Sequence, residues 1–421
     1  MERLAERRLE NWFGRKARLP LFLHGQRGVG KTHLLRKFGR EKFGKVLYFD
    51  IKGDFRSKKI FDAESSGRDI IAAITSFAGH VPDSETFVIL DNVHESSAAL
   101  DFLRRSPELL PGVGVIGAGR LPKWFECKNI ELLELRPMCF REFLIANGKD
   151  SLAETLEGCT AGILGKAAEF EYWMRLHICV GGLPGAVKCY SETRDFNTAY
   201  EANRSVLSMY EIELSECPAF PFSRTGGNFW YLLADHFGGE YQSFEWGNIR
   251  LGKCVHFYEK ALPWGIGCGL GSAVENLCDL RKDLPSIGKR YKVYCSDTGL
   301  LCSMGRERAP RLLCDPNWRI GFQAAEHYVL NEIRAHTGYP VFYSGNDRNE
   351  LIRFVVSRGS ELVPVEVNPF DNLKIGCLDR YCRRHSPGKA VRACMREFQT
   401  CTGICKVPMY AIGHFFAGFS K

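Results

Sequence analysis

Along the first 120 residues, short apolar runs alternate with segments whose apolar positions recur three and four apart. Leu21 to Leu23, "KVLYFDI" (Lys45 to Ile51), Phe87 to Leu90 and "GVGVIGAG" (Gly112 to Gly119) are almost continuously apolar. Strands of this kind are buried on both faces, as in a parallel sheet. Between them, His33 to Phe38 places Leu34, Leu35 and Phe38 on one helical face, and Arg68 to Ala78 also reads as a helix. The alternation predicts a three-layer α/β unit. From Cys139 to Leu284 the pattern is mostly helical, with a possible hairpin after "VHFYEKALPWGIGCGL". Farther on, an amphipathic helix, "GFQAAEHYVLNEIRAH", precedes two strand-like runs, "NELIRFVV" and "ELVPVEVN".

A chain of 421 residues is too long for one core, so several domains are expected. Hydrophobic content of 45% and charged content of 25% are ordinary for a globular protein. No apolar run approaches the roughly 18 residues of a membrane span. The opening "MERLAERRLENWFGRKARLP" lacks an apolar signal core. The 17 cysteines are odd in number and without framework spacing, which suits reduced thiols in a cytoplasm. The five between Cys377 and Cys405 lie beside His385 but lack the paired spacing of a zinc site. The net charge of +8 is uneven: from Phe370 to Lys421, nine bases face three acids. Such an end permits DNA binding without requiring it.

The first run leads into "HGQRGVGKTH". Gly25, Gln26, Arg27, Gly28, Val29, Gly30, Lys31 and Thr32 fit G-x-x-x-x-G-K-[ST], with His33 following in the helix. Glycines let backbone N–H groups curl around phosphate oxygens, and the helix N-terminus adds partial positive charge. Lys31 is expected on the β- and γ-phosphates of ATP, and Thr32 on Mg²⁺.

In "FVILDNVHE", Asp91 closes a strand and is expected to hold Mg²⁺ with Thr32. The next residue is Asn92, where ATP-hydrolysing enzymes often carry a water-polarising glutamate. An amide is no general base near neutral pH. Glu95, three residues on, is a candidate substitute only if the chain turns helical there, and His94 reads as an ordinary loop histidine. Arg120 follows the strand Gly112 to Gly119, where AAA-type enzymes place a sensor of the γ-phosphate; it reads equally as such a sensor or as a surface arginine.

Several stretches resemble, in order, the bacterial and archaeal AAA-superfamily ATPases with a C-terminal domain of unknown function. They are "RLENWFGRKARLPLFLHGQRGVGKTHLLRKFG", "FVILDNVHESSAALDFLR", "LELRPMCFREFLIANG", "GGLPGAV", "YKVYCSDTGLL" and "VPMYAIGHF". The resemblance implies a P-loop core over 1–138, a helical lid over 139–222, a winged-helix-like region over 223–290 and a restriction-endonuclease-like α/β domain over 291–421. It departs from the family at Asn92, which replaces glutamate. It also implies nuclease positions at Glu326 and Glu366. There Asn368 replaces the expected lysine, and Arg353 or Ile352 stands where a strand aspartate belongs. A nuclease site needs both acids and the lysine to bind Mg²⁺ and activate water, so nuclease catalysis is not expected.

The sequence therefore predicts an ATP- and Mg²⁺-binding switch with slow or absent hydrolysis. Two alternatives stand beside it: a DNA-binding or DNA-processing protein, and an interaction scaffold with a vestigial nucleotide site. No membrane contact is expected. No protein partner is indicated, and oligomerisation is left open.

Overall fold

The computed structural model describes residues 2–15, 18–62, 65–121, 127–158, 161–215, 234, 237, 264–277, 291–305, 322–345, 351–369, 376–395, 398–399 and 403–418. These form two compact units, Glu2–Arg136 with Gly267–Gly269, and the remainder.

The first unit is a five-stranded sheet: β1 (Leu21–His24), β2 (Lys45–Asp50), β3 (Thr86–Asp91), β4 (Gly114–Gly119) and β5 (Glu131–Glu134). The order is β2-β3-β4-β1-β5, and every pairing is parallel. Both faces are covered, as the continuous apolar runs require. On β3, Val88 and Leu90 face a core with Phe49, Ile70, Ile74, Leu100 and Leu103. Phe87 and Ile89 face the opposite core with Leu9, Trp12, Leu34, Leu35 and Phe38. One strand thus divides two cores by its period of two.

The helices are α1 (Leu4–Phe13), α2 (Lys31–Lys42), α3 (Phe55–Ile60), α4 (Gly67–Ala78) and α5 (Ser97–Leu109). Their starts follow local chemistry. Asp54 caps α3, Ser66 and Asp69 form a reciprocal capping box on α4, and Ser96 caps α5. Helix α1 lies on α2 through Lys37–Glu6 (2.9 Å) and Lys42–Glu10 (3.0 Å) ion pairs and a Phe13–Phe38 edge contact.

The second unit opens with five helices: α6 (Phe140–Ala146), α7 (Asp150–Gly158), α8 (Ala167–Val180), α9 (Pro184–Thr193) and α10 (Phe196–Ser215). Farther on, where a hairpin is possible in the sequence, Gly271–Glu275 is a strand (β6). It pairs antiparallel with β7 (Tyr291–Cys295), and so joins residues on either side of position 290. Most of the region read as winged-helix-like, including His256 and Lys260, lies outside the described residues.

After β7 come α11 (Thr298–Met304) and α12 (Phe322–His336). A second five-stranded sheet follows: β8 (Val341–Gly345), β9 (Leu351–Arg358), β10 (Glu361–Val367), β11 (Lys389–Cys394) and β12 (Gly403–Pro408). Helix α13 (Cys377–His385) precedes β11, and α14 (Ile412–Gly418) follows β12. The sheet is mixed: β8, β9 and β10 run antiparallel to their neighbours, while β10, β11 and β12 are parallel. Pro364 sits within β10 without breaking it, because the ladder to β11 begins only at Val365. Among the described residues, no helix is long and apolar enough to cross a membrane.

Candidate nucleotide site

The glycine loop joins β1 to α2. Gly28 and Gly30 hold φ of 78° and 95°, in the left-handed region where a side chain is strained. Gly30 is the N-cap of α2, so the first turn of that helix opens on the loop. Lys31 Nζ donates to the carbonyls of Gly25 and Gln26, both at 2.9 Å. Its ammonium is folded onto the loop. Burial pulls it down to about 8, with Asp91 pulling it up and Arg27 and Arg120 adding to the depression.

Parallel pairing brings the end of β3 beside this loop. Thr32 Oγ1 donates to Asp91 Oδ2 at 2.5 Å, and Tyr48 Oη donates to the same oxygen at 2.9 Å. The Asn92 amide N–H reaches Asp91 Oδ1 at 3.0 Å. Burial, then the Asp91 carboxylate, pushes the Tyr48 phenol upward, and the Arg36 guanidinium lies 3.8 Å over its ring. A hydroxyl and a carboxylate in contact form a hard-oxygen donor set of the kind that Mg²⁺ takes. The residues present therefore fit the ion. Arg27 is half-buried and His33 is exposed. Gln26 is buried, and neither end of its amide has a hydrogen-bond partner.

Asn92 adopts φ of 54°, a left-handed conformation that asparagine tolerates better than most residues. Its Nδ2 donates to Asp50 Oδ1 at 2.9 Å, an oxygen that also accepts the Gly53 N–H. The amide is committed to the end of β2. Glu95 ends a 3₁₀ turn (Val93–Glu95) and pairs with Lys52 at 3.2 Å, with Arg120 at 4.0 Å.

His94 differs from the loop histidine expected. Its side chain is only 12% exposed, and Arg120 donates to both of its ring nitrogens, from N at 3.3 Å and from Nε at 3.2 Å. A neutral imidazole accepts at one nitrogen, so the two bonds compete. Burial first, then Arg120, pulls His94 down to about 4. A Cβ on Gly119 would collide with its Nδ1, so the glycine that ends β4 makes room for the ring. That strand-end glycine was the one sequence signal for this contact.

Arg3 was also missed, and nothing in the sequence pointed to it. The side chain is buried and donates to the carbonyls of Val29 (3.1 Å) and Arg136 (2.5 Å). It ties the start of α1 to the glycine loop.

In the second unit, Glu326 on α12 is buried and pairs with Arg353 Nε at 2.9 Å. Tyr294 Oη donates to its other oxygen at 3.3 Å. Arg353, not Ile352, thus takes the position facing this acid. Glu366 on β10 pairs with Arg392 Nε at 2.7 Å and accepts the Leu378 N–H at 3.3 Å. Asn368 is buried just past β10, its N–H on the Ala393 carbonyl. Among the described residues, the cysteines between Cys377 and Cys405 form no metal-ligating cluster. Asp347 and Glu350, the nearest acids to β9 in sequence, lie outside the described residues.

A family model described as an AAA domain matches residues 17–144, from just before β1 through most of α6. This stretch is an AAA-type ATPase domain with a parallel five-stranded P-loop core. No curated protein matches the chain. A Walker-type ATPase of Pyrococcus abyssi is similar at 13% identity and a TM-score of 0.37, over 71% of this chain and 93% of that one. PCH-2 of C. elegans is similar at 16% identity and 0.24, over 45% and 61%. A Signal Transduction ATPase with Numerous Domains, bearing a tetratricopeptide repeat sensor and from Pyrococcus horikoshii, is similar at 14% and 0.29, over 80% and 46%. Scores this low establish no shared architecture.

Proposed function

We propose that the chain is a nucleotide-dependent switch that binds ATP with Mg²⁺ and hydrolyses it slowly or not at all. The observation that carries this reading is the contact of Thr32 with Asp91 beside a buried Lys31 held on its own loop. Bound ATP would supply anionic oxygens and a metal bridge. Lys31 would exchange two carbonyls for phosphate oxygens. Thr32 and Asp91 would hold the ion, and the N–H groups from Gln26 to Thr32 would line the loop.

Slow turnover follows from Asn92 and from the commitments around it. Its amide carries no base, its Nδ2 is committed to Asp50, and Glu95, the acid three residues on, is occupied by Lys52. Arg120 is the sensor in this reading. Drawn toward phosphate, it would leave His94, and the Val93–Glu95 turn would lose its tie to β4. That is a two-state element of the kind a nucleotide can bias.

A DNA-binding role is the second reading. Exposed Arg380, Arg383, Arg384 and His385 on α13 favour it, within a C-terminal domain read as nuclease-like without nuclease chemistry. Nucleotide binding and turnover measured on one purified sample, with and without DNA, tests both. ATP binding with turnover well below about 1 s⁻¹ supports the switch, and DNA-dependent stimulation supports the second reading. Absence of nucleotide binding would leave an interaction scaffold.

A further inference from the structure

Away from the nucleotide site, the second unit buries an unusual polar cluster. Cys139 is the N-cap of α6 and accepts the backbone N–H of Glu142. Glu332 and His336 lie one turn apart on α12, on one helical face. One ligand-type atom from each of Cys139, Glu332 and His336 lies within 4.8 Å of the others. Cys139 and Glu332 are buried, and the His336 side chain is 4% exposed.

The hydrogen bonds fix which ring nitrogens carry protons. His336 Nδ1 lies 3.0 Å from the Glu332 carbonyl. A carbonyl only accepts, so the proton is on Nδ1 and the lone pair is on Nε2, which has no hydrogen-bond partner. His177 repeats the pattern. Its Nε2 donates to the Met138 carbonyl at 3.0 Å, so Nδ1 presents a lone pair. That nitrogen has no hydrogen-bond partner and faces Glu332 Oε1 at 4.0 Å. The His177 nitrogen and the Glu332 oxygen thus face each other without a hydrogen bond. The buried Tyr328 hydroxyl, one turn before Glu332, is unpartnered as well. Native interiors satisfy nearly all such groups, and a cluster of exceptions calls for an ion, a water or a function.

We propose that Cys139, Glu332 and His336 bind a divalent transition-metal cation of the zinc class. A thiolate, an imidazole and a carboxylate are the ligand types zinc takes, and three of them leave a fourth position for water. A thiolate and a carboxylate also neutralise a divalent charge, so the loaded site adds no net charge to a dry interior. Without metal, the same cluster is neutral only when both acids hold protons. Burial supports that account by pushing Glu332 up to about 8. Binding therefore releases protons from the thiol and the carboxyl. Zinc ligands at about 2.0–2.3 Å stand ~3.5 Å apart, so the donors would close by about 1 Å through side-chain rotation. Phe140 N–H, which donates to Glu332 Oε1 at 2.8 Å, would orient the carboxylate as an outer partner.

The test uses the full chain, stripped of metal and titrated with Co²⁺. Wild type should give a stoichiometric thiolate-to-cobalt band in the near ultraviolet and tetrahedral absorption in the visible. Cys139→Ser keeps the N-cap and should abolish the thiolate band, while Cys382→Ser, a control elsewhere, should retain it. Glu332→Gln keeps the acceptor for Phe140 N–H and removes the charge. Its affinity should fall by more than roughly tenfold, since even outer partners of ligands cost 10–100-fold. It also serves as the deciding variant if Cys139→Ser fails to fold. Absence of the cobalt band in wild type overturns the proposal. So do equal spectra and affinity in wild type, Cys139→Ser and Glu332→Gln, which would mean that other cysteines hold the ion.

Discussion

Lys31 is bonded to the Gly25 and Gln26 carbonyls, and burial pulls it down to about 8. Its removal should weaken ATP·Mg²⁺ binding by roughly ten- to a hundredfold, the worth of a charge-assisted contact; equal affinity of Lys31→Ala and wild type by calorimetry would refute the site. The depressed value also sets a pH dependence. The unfolded chain keeps this proton up to about 10.5 and the folded one loses it near 8. The stability contributed by Lys31 is therefore lowest below pH 8 and recovers as pH rises toward 10.5. Phosphate favours the ammonium, so binding at pH 8.5 should take up a proton, and affinity should fall as pH rises above 8. Calorimetry in buffers of differing protonation enthalpy reads the uptake, and Lys31→Arg, which stays charged, should remove it. Asn92 carries a second test. Asn92→Glu restores an acid, and general-base help is typically worth 10²–10⁴-fold. The geometry limits the gain, because glutamate in the left-handed region costs about 1–2 kcal/mol and would face Asp50. The expected result is a lower melting temperature, unchanged ATP affinity and turnover raised by roughly tenfold. An unaltered rate with intact binding would show that more than the base is missing.

At the scale of elements, the sequence carried the parallel core because burial on both faces leaves a continuous apolar run, as on β3. It carried α4, read as Arg68 to Ala78 and observed at Gly67–Ala78, and the meeting of Thr32 with Asp91 followed once the sheet was read as parallel. The tie of Arg3 to Val29 was not legible, and that of His94 to Arg120 left only the Gly119 signal. They join residues 26 apart through side-chain geometry that no local period encodes. The β6–β7 pairing was legible only as a possible hairpin, because a short apolar segment is as compatible with a helix as with a strand until its partner is known. Arg3 is where an unread contact has a measurable effect. Arg3→Met keeps the apolar stem and removes both bonds to carbonyls, which leaves the Val29 oxygen with one partner fewer. Hydrogen bonds from charged groups are worth roughly 1.5–3 kcal/mol. Urea unfolding should show a loss of at least about 1.5 kcal/mol, and ATP affinity should fall with it because the glycine loop loses its brace. A variant as stable as wild type would show that α1 holds the loop by packing alone.

Across the molecule, the two units put their carboxylates to opposite uses. In the first, Asp91 accepts only a hydroxyl, a phenol and a backbone N–H, so a metal ion can replace neutral donors. In the second, Glu326 and Glu366 are each closed by a guanidinium, Arg353 and Arg392. A cation entering there would have to displace a half-buried arginine from a buried carboxylate, and removing one partner of such a pair leaves the other charge uncompensated. It would then meet the freed positive charge as well. Asn368 adds no lysine to activate water, and its backbone N–H is spent on Ala393. The C-terminal sheet is therefore expected to leave DNA intact. Supercoiled plasmid incubated with the full chain and Mg²⁺ or Mn²⁺ should show no nicking above a buffer control, with or without ATP. Metal-dependent cleavage that disappears in Glu366→Ala would prove the opposite. DNA retained without cleavage, and released when Arg383 and Arg384 are both changed to alanine, would instead place a binding role on the exposed face of α13. The loss should then be salt-dependent, because each phosphate contact removed lowers the slope of log affinity against log salt by about 0.9.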